Sequence, residues 1–330
     1  MNSHNTLICV IGGAGYIGSH MVALLQANGY SVVVIDDLST GFLTSIPKVL
    51  FEQGSILDKE FLADFFTRYN IGAVFHFASS IQVGESVSNP RKYYKNNLIG
   101  TISLLDQMVE SKVSKLIFSS TAAIFGSPDY TPIDELHPRR PLSPYGRSKL
   151  FVEEILADYE TAYNLRSVSL RYFNAAGASP CGQLGERHFP ETHLIPLLLQ
   201  CAANRSPSFS IFGNDYDTAD GTCVRDYIHV EDLCRAHLLS LSYLDKDNPS
   251  AAFNLGTGVG HSVSEVVSAV EDVTRSKLNI QIKPRRPGDP ASLVADGKKA
   301  NLALGWMPTR VDLKEIIAHA WAWEQKHPWI

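Results

Sequence analysis

The stretch TLICVIGGAGYIG, residues 6–18, constrains what this chain can fold into more than any other. Its apolar start is too short for a membrane anchor or a signal segment and runs straight into glycines, so it reads as a buried strand. Gly12, Gly15 and Gly18 follow in G-x-x-G-x-x-G spacing, and a helical pattern opens at residue 16. Strand, tight glycine turn and helix N-terminus together let the backbone approach a pyrophosphate, with helix N–H groups facing the anion. The spacing alone is weak, because a close-packed strand–helix turn shares it. Asp36 adds context: it closes the next strand, eighteen residues past Gly18, where a carboxylate accepts from ribose hydroxyls. Asp37 follows at once, and two acids repel a 2′-phosphate, so NAD is expected over NADP.

The rest of the chain continues the rhythm that this start implies. TLICVI (6–11), SVVVID (31–36), VLFEQ (49–53), AVFHFA (73–78), KLIFSS (115–120) and SVSLRYF (167–173) read as buried strands. Helical patterns lie near 16–28, 58–69, 91–112 and 145–163. Alternation on this scale predicts an α/β fold, a Rossmann-type doubly wound parallel sheet. After Asn174 the pattern breaks into glycine- and proline-rich loops, HVEDLCRAHLLSLSYL (229–244) reads as a further helix, and the final third mixes short strands with amphipathic helices. That division predicts a dinucleotide-binding domain over 1–174, to which the chain returns near 226–256, and a smaller mixed α/β substrate domain over 175–330. At 330 residues either one large domain or two moderate ones fit. A net charge of −5 argues against nucleic acid, which wants a basic face. Five cysteines without a CxxC pair argue against a disulfide framework or a zinc site, and no metal is expected. With no window of transmembrane length, no membrane is expected as a partner, and the location is expected to be cytoplasmic. HVED (229–232) carries one histidine beside two acids on a helix, a pattern more often structural than metal-binding.

SPYGRSK, 143–149, sets Tyr145 and Lys149 at i, i+4, on one face of a helix. Such pairs are common on solvated helix faces. A tyrosine is a poor base at neutral pH, since its ordinary pKa is about 10. A nearby ammonium and the positive nicotinamide of NAD⁺ would stabilise the phenolate, and lowering that pKa by roughly 3 units takes about 4 kcal/mol. A cleft supplies that; an open surface does not. FSSTAAIFG (118–126) puts Ser119, Ser120 and Thr121 where the apolar strand ends, which is where an open parallel sheet binds its ligands. A Ser/Thr-rich turn explains any one of these hydroxyls. Glycine loop, strand-end hydroxyl and Tyr–Lys pair together point to a redox site.

These residues resemble the extended short-chain dehydrogenase/reductases, whose glycine spacing differs from the G-x-G-x-x-G of ordinary dehydrogenases, and most closely the UDP-glucose 4-epimerase family. The likeness extends through VGESVSNPRKYYKNN, SPYGRSKLFVEEIL, LRYFNAAGA, FNLGTGVGHSV and RRPGDPASLVAD, and is most specific over 211–233, IFGNDYDTADGTCVRDYIHVEDL. The resemblance implies NAD held tightly and inversion at C4 of a UDP-hexose through a 4-keto sugar that turns in the pocket. It implies that Tyr145 takes the 4-hydroxyl proton, that Lys149 tunes Tyr145 and holds the nicotinamide ribose, and that Thr121 hydrogen-bonds the 4-oxygen. On the cofactor side it implies Gly12, Gly15, Tyr16, Ile17, Gly18, Asp36 and Asp37. Further along the chain it adds Ser55, Ile56, Phe77, Ala78, Asn96, Ser119 and Tyr172. On the substrate side it implies Asn174, His193, Leu194, Ser210 and Phe212, with Arg225 and Arg286 on phosphate, Asp289 on the uridine ribose and Leu293 beside the hexose. Guanidinium forks suit phosphate oxygens independently of any resemblance, although KPRRPGD (283–289) read alone is a solvated basic loop. The His193 position acts in the family through its backbone amide. A homodimer through the helices near 91–112 and 145–163 is likewise implied.

Several positions depart from the family pattern. Ser55 stands where an aspartate contacts adenine, and Ile81 where some members carry a lysine near the pyrophosphate. Leu293 occupies a gate where a tyrosine excludes N-acetyl sugars, so UDP-GlcNAc and UDP-GalNAc are expected to fit. Ala122, Ala123 and Ile124 follow Thr121, leaving no acid for the elimination or decarboxylation that related nucleotide-sugar dehydratases and decarboxylases perform. A UDP-glucuronate 4-epimerase is the nearer enzymatic alternative. A catalytically silent NAD sensor is the remote one, and such proteins typically lose the tyrosine or the lysine.

Overall fold

The structure, a computed structural model, describes residues 6–286 and 289–327. Each of the six apolar runs forms a strand: β1 (Leu7–Ile11), β2 (Val32–Asp36), β3 (Leu50–Gln53), β4 (Ile71–His76), β5 (Lys115–Thr121) and β6 (Arg166–Tyr172). The later strands are β7 (Asn174–Ala176), β8 (Phe209–Phe212), β9 (Val224–His229), β10 (Ala251–Leu255), β11 (Gly260–Ser262), β12 (Ile280–Lys283) and β13 (Ser292–Leu293). The main sheet runs β10-β6-β5-β4-β1-β2-β3 and is parallel throughout. Strand order reverses between β1 and β4, and a crevice at that switch point is where such sheets place ligands.

Strand chemistry explains why the sheet is covered on both faces. In β1, Ile8 and Val10 face one apolar cluster while Cys9 and Ile11 face the other, and β2 is buried along its whole length. Strands apolar on both faces need helices on both sides. On one side pack α1 (Tyr16–Ala27) and, from far along the chain, α8 (Val230–Asp245). On the other lie α2 (Lys59–Arg68), α5 (Gly100–Glu110) and α6 (Pro144–Tyr163). The helix expected over 91–112 is not uniform: after α3 (Val83–Ser88) come α4 (Pro90–Tyr93) and a π-helical turn, Tyr94–Ile99, before α5. The remaining helices are α7 (Leu194–Ala202), α9 (Val263–Thr274), α10 (Lys298–Leu304) and α11 (Leu313–Lys326).

β10 pairs with β6 and completes the sheet, so the chain does return to it. Beside the sheet, β9 pairs with β7, β11 and β13, β8 pairs with β12, and α7, α9 and α11 share a separate apolar cluster. HVED proves structural. His229 is buried and caps α8 by accepting from the Glu231 N–H, and Asp232 accepts from the backbone N–H groups of Thr309 and Arg310.

Candidate active site

A cleft of about 760 Å³ opens at the switch point, well within the size of small-molecule sites. Gly12 sits at φ +78°, where a side chain is strained, and a Cβ there would lie 2.5 Å from the Ala78 nitrogen. A Cβ on Gly18 would overlap the Gly12 carbonyl oxygen. Both glycines therefore hold β1, the tip of β4 and the start of α1 at a spacing no other residue allows. No side chain caps α1, which leaves its first-turn N–H groups to an anion. Asp36 is buried and accepts from the backbone of Ala14 (2.9 Å) and Leu38 (2.8 Å). Burial raises its carboxyl pKa above the ordinary value. This carboxylate thus fastens the glycine loop as well as bordering the cleft. Gly15, Tyr16, Ile17, Asp37, Ser55, Ile56, Phe77 and Ala78 all line the same space. The Tyr16 hydroxyl is spent on the Gly177 carbonyl (2.7 Å) and Ser55 Oγ accepts from Leu57 N. The cradle fits a dinucleotide: backbone donors and close glycines at one end, buried acid at the other.

The Tyr145–Lys149 pair is presented by α6. Ser143 caps it by accepting from Gly146 N, and Pro144 occupies the first helical position, where a proline loses nothing. Gly146 explains the tight docking that follows: a Cβ there would overlap the Ala123 carbonyl oxygen. The helix N-terminus therefore presses onto the turn 122–124, bringing Tyr145 beside Thr121, whose hydroxyl favours the phenolate. Thr121 Oγ1 also accepts from Ala123 N at 3.1 Å. Lys149 is 3% exposed and donates to the Ser119 carbonyl at 2.8 Å. Ser119 Oγ in turn makes a very short hydrogen bond to the Tyr172 hydroxyl. Thr121, Tyr145, Lys149, Ser119 and Tyr172 all border the cleft.

The electrostatics of the pair follow from its burial. Lys149 holds Ser119 rather than the phenol, and burial lowers its own pKa to about 7, with Glu153 one turn away opposing the shift. Burial raises the Tyr145 pKa, against a lowering by Thr121. The protein's own groups therefore do not supply the phenolate.

On the other wall, Asn174, His193, Arg225, Asp289 and Leu293 line the cleft. Leu293 sits opposite Arg225 in the β13–β9 pairing and packs against the apolar cluster of Ala122, Ile124, Phe125, Ile133 and Leu150. Arg225 is fixed by the carbonyls of Val224 and Pro290, with Asp289 at 3.9 Å. Leu194, Ser210, Phe212 and Arg286 are not brought into the lining. Leu194 opens α7 and packs on its apolar cluster, Ser210 and Phe212 lie on the two-stranded β8–β12 sheet, and the exposed Arg286 stacks its guanidinium 3.9 Å from the centre of the Phe212 ring. The KPRRPGD loop includes two residues, 287 and 288, outside those described.

Sequence reasoning missed several lining residues. Asn96, expected from the sequence, lines the cleft, and its buried neighbour Asn97 braces it from behind: Asn97 accepts from Ser80 N (2.8 Å) and donates to the Ser80 carbonyl and Ser148 Oγ. Lys92 and Lys95 border the cleft near Ile81, one of them paired with Glu85 at 2.8 Å. Glu186, His188 and Thr192 also line it, beside His193. Their signal was present as two acids and two histidines at alternating spacing in GERHFPETH, which the search for cysteine motifs passed over.

A family model described as the NAD dependent epimerase/dehydratase family matches residues 8–256. A UDP-glucose 4-epimerase of Halalkalibacterium halodurans is 49% identical over 97% of this chain and 96% of its own. The crystal structure of a UDP-glucose 4-epimerase from Brucella ovis in complex with NAD is 47% identical, with a TM-score of 0.93 over 96% of this chain and 97% of its own. The UDP-Glc/GlcNAc 4-epimerase of Campylobacter jejuni is 40% identical, with a TM-score of 0.86 over 98% of this chain and 100% of its own.

Proposed function

The chain belongs to the NAD dependent epimerase/dehydratase family, and on that premise we propose how its residues carry out the activity of its relatives. That activity is UDP-glucose 4-epimerase: an isomerase reaction, with NAD as cofactor, that interconverts UDP-glucose and UDP-galactose by inverting C4. The observation that carries the residue assignment is the convergence of Tyr145, Thr121 and Lys149 on the cleft that the glycine loop also borders.

When bound, NAD supplies reversible two-electron oxidation at C4 of the sugar. Tyr145 takes the proton of the 4-hydroxyl and returns it to the same oxygen after the sugar has turned, so no proton is gained or lost over the cycle. Thr121 Oγ1 shares that oxygen and orients it. Lys149 positions the strand end through the Ser119 carbonyl. Gly12, Gly15 and Gly18 with the start of α1 hold the pyrophosphate, and Asp36 the adenosine ribose. Arg225 and Asn174 grip the UDP diphosphate and Asp289 the uridine ribose. His193, at the N-cap of α7, lies beside the hexose. Residues 175–330, apart from the return near 226–256, form the substrate side, and residues 1–174 the cofactor side. Leu293 leaves room for a 2-acetamido group, so UDP-GlcNAc and UDP-GalNAc are also substrates. The UDP-Glc/GlcNAc 4-epimerase of Campylobacter jejuni supports the extension to an N-acetylated sugar.

Two finer assignments accompany this reading. No helix among the described residues is long and apolar enough to cross a membrane, and five free cysteines suit a reducing cytoplasm. Ile99 (53% exposed), Phe151 (38%) and Tyr163 (57%) leave apolar surface on the helices expected to pair two copies into a homodimer. Light scattering on the purified chain checks the second point.

The test of the function uses protein purified without added NAD. Incubated separately with UDP-galactose, UDP-GlcNAc and UDP-glucuronate, it is expected to convert the first two and leave the third. Absence of UDP-glucose from UDP-galactose, even with NAD added, overturns the assignment; conversion of UDP-glucuronate alone supports the uronate reading.

A further inference from the structure

Beside the substrate wall, the loop between β7 and α7 gathers Glu186, His188, Glu191 and His193 so that one ligand atom from each lies within 4.8 Å of the others. His193 Nδ1 is 2.9 Å from both Glu186 Oε1 and Glu191 Oε1. His188 Nδ1 is 3.3 Å from Glu186 Oε1 and 3.6 Å from Glu191 Oε2. Four ligands about 2.1 Å from a tetrahedral centre stand about 3.4 Å apart, so the four His–Glu pairs already lie near that spacing and the wider pairs, within 4.8 Å, close on the ion.

Hydrogen bonding within the loop accounts for only part of the cluster. Glu191 Oε1 is oriented by the backbone N–H groups of Thr192 (2.7 Å) and His193 (2.8 Å). Its other oxygen, Oε2, has no hydrogen-bond partner although the side chain is only 4% exposed. His188 Nδ1 likewise meets Glu186 and Glu191 only at ion-pair distance, without a well-formed hydrogen bond. These two atoms face each other at 3.6 Å, too long for a hydrogen bond, so each keeps bonding capacity that a shared cation would satisfy better. Trp323 Nε1 donates to the Glu186 carbonyl, and the His188 ring meets Tyr16 edge-on at 6.4 Å, so the loop is held from two sides.

We propose that Glu186, His188, Glu191 and His193 bind one zinc-class divalent ion, which clasps the 186–193 loop against the cleft. Two imidazoles and two carboxylates without a thiolate suit Zn²⁺, with Co²⁺ as its spectroscopic substitute, and disfavour Cu⁺, Mg²⁺ and Ca²⁺. With four protein ligands no position is left for water or substrate, so the site is structural. Its effect on the reaction is to fix His193 at the start of α7. The proposal stands apart from the C4 chemistry, since none of its ligands exchanges a proton with the sugar.

The test is a cobalt titration of the intact protein after dialysis against a strong chelator. One equivalent of Co²⁺ is expected to give the intense visible bands of four-coordination, to be displaced by Zn²⁺, and to raise the melting temperature. His188→Gln and Glu191→Gln, checked by circular dichroism for folding, are each expected to weaken binding at least about tenfold. Failure of the wild-type protein to bind one equivalent overturns the proposal, whatever the variants do. Weak octahedral bands, or folded variants that bind as tightly as wild type, overturn it too.

Discussion

Replacing Gly146 with alanine asks how closely catalysis depends on the docking of α6. The added Cβ would overlap the Ala123 carbonyl oxygen and lie 3.0 Å from its carbon and 3.1 Å from Pro141 Cβ. Side-chain carbons do not sit under 3.0 Å from another atom, so the helix start or the turn must move by roughly half an ångström. The turn resists, because Thr121 Oγ1 holds Ala123 N and Phe125 N donates to Ala122 O. Tyr145, next in sequence to the substitution, takes up the movement and draws away from the substrate oxygen that Thr121 orients. A misplacement of about 1 Å costs a reaction on the order of a hundredfold, so kcat is expected to fall about ten- to a hundredfold, or about 1.4–2.7 kcal/mol of barrier. Alanine is intrinsically better than glycine in a helix by about 0.5–1 kcal/mol, so a melted helix does not account for such a loss. The assay couples UDP-glucose formation to a dehydrogenase and follows kcat and KM, with thermal melting as the structural control. Gly84→Ala is the reference: nothing lies within 4 Å of a Cβ there, and its kcat is expected to match wild type. If Gly146→Ala turns over at the wild-type rate, the docking does not set the position of Tyr145 and the reasoning fails.

Tyr145→Phe removes the proton acceptor while keeping the ring, and kcat is expected to fall by about 10²–10⁴ with NAD still bound; full activity would reassign the base. Leu293→Tyr fills the gate beside the hexose, and is expected to suppress turnover of UDP-GlcNAc at least tenfold more than that of UDP-galactose, read as the ratio of kcat/KM values. For Lys149 the sign follows from its lowered pKa: between pH 7 and about 10.5 the unfolded chain holds a proton that the folded chain has released, so this group's contribution to stability rises with pH. Urea melts at pH 7 and 9 are expected to show wild type gaining up to about 2–3 kcal/mol relative to Lys149→Met; an equal pH dependence in the two proteins contradicts the burial argument.

The parallel sheet was readable because buried strands and amphipathic helices leave different periods in the sequence, and each of the six apolar runs became a strand. Two parts of the site were hidden for physical reasons. Residues 91–112 carry one helical period, yet Tyr94–Ile99 winds as a π-helix, and no spacing rule announces the change or the role it gives Asn97. The GERHFPETH cluster was obscured because its four side chains converge only through an irregular loop, where no helical or strand period puts them on one face. Arg286 is a different case. A guanidinium near a diphosphate site is chemically apt, but in this structure the flat face of Phe212 holds it outside the cleft lining.

The same contrast applies to the Tyr145–Lys149 pair. Helical spacing correctly places the two on one face, but it says nothing of which acceptor the ammonium finds. Lys149 finds the Ser119 carbonyl at 2.8 Å, and burial pushes the pKa of the phenol up and that of the ammonium down to about 7. Two groups so displaced are mostly neutral or half-charged near pH 7, and a neutral phenol abstracts no proton. The site is therefore built to withhold its base until further positive charge arrives on the cofactor side. On the proposed reading, bound NAD⁺ would supply that positive charge beside Tyr145 and would favour its phenolate while the sugar is still to be oxidised. A freely solvated tyrosine and lysine at the same spacing would lack this coupling, since water would screen both charges. Burial of the pair, more than its spacing, is what separates it from an ordinary helix face.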